Sequence, residues 1–78
     1  MRRRPANLRL TELRFEAGLS QRGLASIAGV TPGVVQLAEK GWTPHPGHAG
    51  AILEVLERKL DRKVRYIEIW PPAGTARL

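Results

Sequence analysis

The chain has 78 residues, enough for one domain with a limited core. The absence of cysteine excludes disulfides, thiol catalysis and cysteine-ligated metal, and is compatible with a reducing cytoplasm. A net charge of +6, with 13 cations against 7 acids, favours a polyanionic partner through counterion release, although the excess of arginine over lysine fits a GC-rich genome equally well.

Residues 1–5 carry Arg2, Arg3 and Arg4 before Pro5 and read as a basic flexible arm. Beside a DNA-reading helix such an arm enters a minor groove or lies along phosphates; otherwise it is a solvated terminus. No apolar run follows it, so neither a signal peptide nor a membrane span is expected. A first helix, capped by Asn7 or Thr11, runs to Ala17 and ends at Gly18. Leu10, Leu13 and Ala17 share one face of it.

Ser20 is a good N-cap for a second helix, whose Leu24, Ala25, Ile27 and Ala28 recur at helical spacing. Gly29 stops it, because glycine takes the left-handed conformation without a steric penalty. Thr31 offers the next N-cap, and Pro32 stands at the first helical position, where its missing N–H costs nothing. Val34, Val35, Leu37 and Ala38 carry the third helix to Glu39, and Gly41 terminates it. Two capped helices about three residues apart form a helix-turn-helix.

These residues carry a resemblance. LTELRFEAGLSQRGLASIAGVTPGVVQLAEKG, Leu10 to Gly41, is similar without a gap to the DNA-binding domain of the phage lambda repressor and Cro family, the xenobiotic-response-element type of helix-turn-helix. The likeness extends more loosely to about Leu60. It implies that Arg14 pairs with Glu39, tying helix 1 to the end of the recognition helix while leaving the guanidinium able to reach a phosphate. It also implies that Gln21 anchors the DNA backbone, at a helix start where N–H groups and the dipole favour phosphate. Arg22, its neighbour in the sequence, is expected to add a second phosphate contact there. Base edges would be read from Thr31, Pro32, Gly33, Gln36 and Leu37. Of these only Gln36 can make a bidentate contact, to adenine, so direct readout should be sparse and phosphate contacts and DNA shape correspondingly important. Lys40 and Thr43 lie where relatives touch the backbone beyond the recognition helix.

The stretch Trp42 to His48 reads as a loop. Trp42 is either a lid on the core or an exposed anchor. His45 and His48 lack a third ligand, so no metal site and no other cofactor is expected. No catalytic triad, phosphate-binding glycine loop or carboxylate pair points to an enzyme. Helix 4 follows to Leu60, with Ala49, Ile52, Leu53, Leu56 and Leu60 on its apolar face. The segment Val64 to Trp70 is rich in β-branched and aromatic residues, ends at Pro71 and Pro72, and reads as a strand. A lone strand needs a partner. Val64, Tyr66, Ile67, Ile69 and Trp70 would therefore pair across a two-fold axis in a homodimer, or fold back on the segment around Leu8.

The expected fold is thus mainly α: a four- or five-helix helix-turn-helix domain over residues 6–62, a dimerising strand over 63–72 and a flexible tail over 73–78. The expected function is that of a small cytoplasmic regulator, of phage or bacterial type, which binds double-stranded DNA through residues 31–40 in the major groove. The alternative is an interaction module that keeps the fold but binds a protein such as RNA polymerase or a toxin through the apolar side of helix 3 or the C-terminal segment.

Overall fold

The computed structural model describes residues 5–70, and Arg2, Arg3, Arg4 and the tail expected at 73–78 lie outside them. Five helices follow one another: α1 (Leu8–Glu16), α2 (Gln21–Ala28), α3 (Pro32–Glu39), α4 (Pro46–Leu60) and α5 (Tyr66–Ile69). The chain is mainly helical, and no strand occurs among the described residues.

Local chemistry explains the helix boundaries. Asn7 caps α1, its side-chain oxygen accepting from the N–H of Leu10 at 3.0 Å. The Ser20 hydroxyl accepts from the N–H of Gly23 at 2.9 Å and starts α2. Gly29 ends α2 at φ +74°, a conformation that costs any residue with a Cβ about 1–2 kcal/mol. Thr31 is extended at the N-cap of α3 without a side-chain hydrogen bond, so the start of that helix rests on Pro32, whose φ is already helical. His45 supplies the cap of α4: its Nδ1 accepts from the N–H of Gly47 at 3.0 Å.

These helices surround one core. Leu10 and Leu13 of α1, Leu24 of α2, Val35 of α3, and Ile52 and Leu56 of α4 are fully buried together. Each such side chain contributes roughly 1.5–3 kcal/mol of transfer free energy relative to exposure. α2 packs most extensively on α3 and α4, which fixes the angle at which α3 faces solvent.

The C-terminal segment corrects the expected strand. Residues 66–69 form the short helix α5, with the N–H of Trp70 closing on the carbonyl of Tyr66 at 2.9 Å. Burial decides against the extended form. Alternation from Val64 would send Tyr66, Glu68 and Trp70 inward and leave Ile69 outside, whereas the helical turn buries Ile69 and Trp70 together and frees Glu68 for an ion pair with Arg9. The intersubunit ribbon expected from Val64, Tyr66, Ile67, Ile69 and Trp70 has no strand to form it. Val64, Ile69 and Trp70 instead fill the chain's own core, and the Asn7 side-chain amide donates to the Ile69 carbonyl at 3.1 Å. The segment folds back beside Leu8, the other arrangement the sequence allowed, but as a helix.

Candidate nucleic-acid interface

The third helix divides cleanly. Val35, Ala38 and Glu39 face inward, while Thr31, Pro32, Gly33, Gln36, Leu37 and Lys40 are all exposed. Thr31, one turn before the buried Val35, is exposed because it lies outside the helix at its N-cap, while by helical spacing Pro32, Gly33, Gln36, Leu37 and Lys40 share one face. Its donor content is low: Gln36 carries the one side-chain amide, and Lys40 the one positive charge. Leu37 is 52% exposed.

Behind this face a carboxylate holds three helices in register. Arg14 Nε donates to Glu39 Oε2 at 2.5 Å, and its Nη2 donates to Glu39 Oε1 at 3.3 Å. Gln21 Nε2 and the Thr11 hydroxyl each donate to the same Oε1 at 3.1 Å. Arg14 Nη1 donates to the carbonyl of Leu19 at 2.9 Å, and the N–H of Asn7 donates to the Glu39 carbonyl at 2.8 Å. Arg14 and Glu39 are only 8% and 9% exposed. Burial acts to raise the Glu39 pKa, but the hydrogen bonds from Arg14, Gln21 and Thr11, with the charge of Arg14, outweigh it and hold the carboxyl below its ordinary value. The clamp joins α1, the start of α2 and the end of α3.

This arrangement redistributes the roles expected for the polar residues. The Arg14 guanidinium is committed to Glu39 and Leu19 and lies 4.6 Å from the centre of the Phe15 ring, which leaves little of it for phosphate. Gln21 spends its side-chain amide on Glu39, so what it offers an anion is its backbone N–H in the first turn of α2. Arg22 is exposed beside it, and Lys40 is exposed at the far end of α3; neither makes an ion pair among the described residues. Thr43 is exposed in the loop beyond. Thr11 was expected only as a possible helix cap. Its place in the clamp could have been read from its position one turn before Arg14 on the same face.

The loop after α3 also differs from the core lid considered for Trp42. That ring is 50% exposed and lines an apolar groove of about 260 Å³ with Val34, Leu37, Pro44, His45 and His48. The two histidine rings lie 5.7 Å apart, with His45 engaged in capping α4, and the described residues contain no group of three potential metal ligands. No described helix is long and apolar enough to cross a membrane. Comparisons with protein-family models, with curated proteins and with solved structures return no match.

Proposed function

We propose that the chain is a sequence-specific double-stranded DNA-binding transcription regulator of the lambda repressor and Cro type. The pair α2 and α3 is its helix-turn-helix, with α3 as the recognition helix in the major groove. The observation that carries this reading is the exposed face of α3, on which Pro32, Gly33, Gln36, Leu37 and Lys40 stand over the clamp, with Thr31 exposed beside them at the N-cap. The first turn of α2 and Arg22 supply phosphate contacts on one side, and Lys40 and Thr43 on the other. With Gln36 the one base-edge reader of bidentate capability, shape readout carries much of the specificity. Binding near a promoter would act by occluding or recruiting polymerase, and a homodimer would present two such helices to a palindromic site.

The test is a titration of isotope-labelled protein with a short duplex, followed by amide chemical shifts. Shifts gathered at residues 21–23 and 31–43 support the proposal. A second reading, docking of a protein partner such as polymerase or a toxin, is favoured by the apolar groove between Leu37 and Trp42. It takes the lead if duplex DNA moves none of these amides.

A further inference from the structure

The positive charge of the described residues is not spread evenly. Between positions 57 and 65 five cations face two acids. Two of the five are engaged: Arg58 pairs with Glu54 at 3.0 Å, and Arg62 lies 4.0 Å from Glu68. Lys59, Lys63 and Arg65 make no ion pair among the described residues, and all three are exposed.

These three side chains stand on a fixed ridge. Asp61 turns the chain at the end of α4 in the left-handed conformation, φ +54°. The N–H of Arg62 then donates to the Glu57 carbonyl at 3.3 Å, and the N–H of Val64 donates to the Glu57 carboxylate at 3.0 Å. Val64 enters the core, which sends its neighbours Lys63 and Arg65 outward on either side. Cations already held by a pinned backbone lose less freedom on binding than a loose tail would.

Lys59, the first cation of the ridge, lies at the opposite end of α4 from the groove beside the proposed reading surface. His48, in the first turn of α4, lines the groove shared with Leu37 of α3. Lys59 is eleven residues further on, roughly 16 Å along the helix axis. Between Lys59 and Arg65 the apolar side chains are turned in, Leu60 half-buried and Val64 buried; the exposed Tyr66 and Ile67 follow at one end of the row, so no apolar anchor stands at its centre as it does in a protein interface. Uncompensated charge without such an anchor suits a phosphate backbone.

We infer that Lys59, Lys63 and Arg65 form a second, sequence-independent contact surface for duplex DNA, so that one molecule bound through α3 engages a second duplex segment and bridges the two. This inference rests on the DNA-binding role proposed above for α3.

The test is a two-duplex capture assay with the full chain: protein is loaded on one immobilised duplex, and retention of a differently labelled second duplex is measured across salt concentrations. The wild-type chain retains the second duplex. The variant Lys59→Gln/Lys63→Gln/Arg65→Gln retains it at least about tenfold less, and its log–log salt slope for the second binding step is shallower by about 2 to 3, the number expected for three phosphate contacts. The variant loads on the first duplex within about twofold of wild type, and an unchanged circular-dichroism melt shows that it folds. Equal retention by variant and wild type overturns the inference, as does a wild-type chain that loads on the first duplex and captures none of the second. Capture of poly-glutamate in place of the second duplex overturns it in favour of an acidic protein partner. A wild-type chain that fails to load on the first duplex instead overturns the DNA-binding role of α3, and the bridging role falls with it.

Discussion

Replacing Glu39 with glutamine removes the charge at the centre of the clamp while nearly preserving its shape. Glu39 receives two bonds from Arg14 and one each from Gln21 and Thr11. A glutamine retains one carbonyl oxygen and turns an NH₂ group toward donors, so at least one of these bonds becomes a repulsive contact. Arg14, 8% exposed, is left as a buried cation held by the Leu19 carbonyl. Breaking one side of a buried pair costs about 3–5 kcal/mol, so a loss of about 3 kcal/mol is expected, allowing for the retained bond to Leu19. At 0.05–0.15 kcal/mol per residue, a domain of this size has a total stability of roughly 4–12 kcal/mol, so the variant should be marginal. In a thermal melt the same loss lowers Tm by roughly 12–24 °C. Urea unfolding followed by circular dichroism measures it directly. A loss below about 1 kcal/mol is the size of an exposed ion pair and would refute the clamp as the element holding α1, α2 and α3 together.

Acid should act through the same carboxylate. Its folded pKa lies below its ordinary value of 4.5, so its contribution is fully present above that value and is lost as pH falls through the lowered one. Wild type should therefore lose more stability than Glu39→Gln between about pH 5 and pH 2; parallel curves in urea titrations would contradict this. Trp70→Ala should cost about 3–5 kcal/mol because the ring is 5% exposed in the chain's own core. A variant that dissociates while its subunit melts unchanged would instead restore intersubunit strand pairing. Gly29→Ala should cost about 1–2 kcal/mol from backbone strain alone, since nothing lies within 4 Å of the added Cβ; a neutral melt would show that the turn relaxes. Gln36→Ala should leave the melt unchanged and weaken binding to a preferred duplex by about 1–3 kcal/mol, read by fluorescence anisotropy, with little effect on unrelated duplex.

The parts of the fold that were legible in sequence are those fixed by local chemistry. Ser20, Gly29 and Pro32 set the ends of α2 and the start of α3 through interactions within a few residues, and the apolar spacing of Ile52 and Leu56 on α4 needs no tertiary information. The segment from Val64 to Trp70 was misread because its composition favours a strand, while the core offers a space that one helical turn fills with Ile69 and Trp70. Intrinsic preference yields to burial there. Within the interface, the exposure of Pro32, Gly33, Gln36, Leu37 and Lys40 follows from helical period once Val35 and Ala38 are assigned to the core, and that of Thr31 from its place at the N-cap. The position of Gln21 did not follow. Its side chain is drawn from an anticipated phosphate contact to Glu39 by a partner eighteen residues away, which no local pattern encodes. Trp42 likewise lies half in solvent, beside the groove it shares with Val34 and Leu37, an outcome that loop composition alone does not decide.

The most direct test of sequence-specific DNA binding is an equilibrium titration of the purified protein with the DNA upstream of its own gene and with unrelated duplex of equal length, at two salt concentrations. Recognition through α3 predicts a preference for the upstream duplex of about a thousandfold or more, retained at the higher salt. Equal affinities that both collapse as salt rises would show that the +6 charge binds phosphate while α3 reads nothing, and would contradict a sequence-specific regulator.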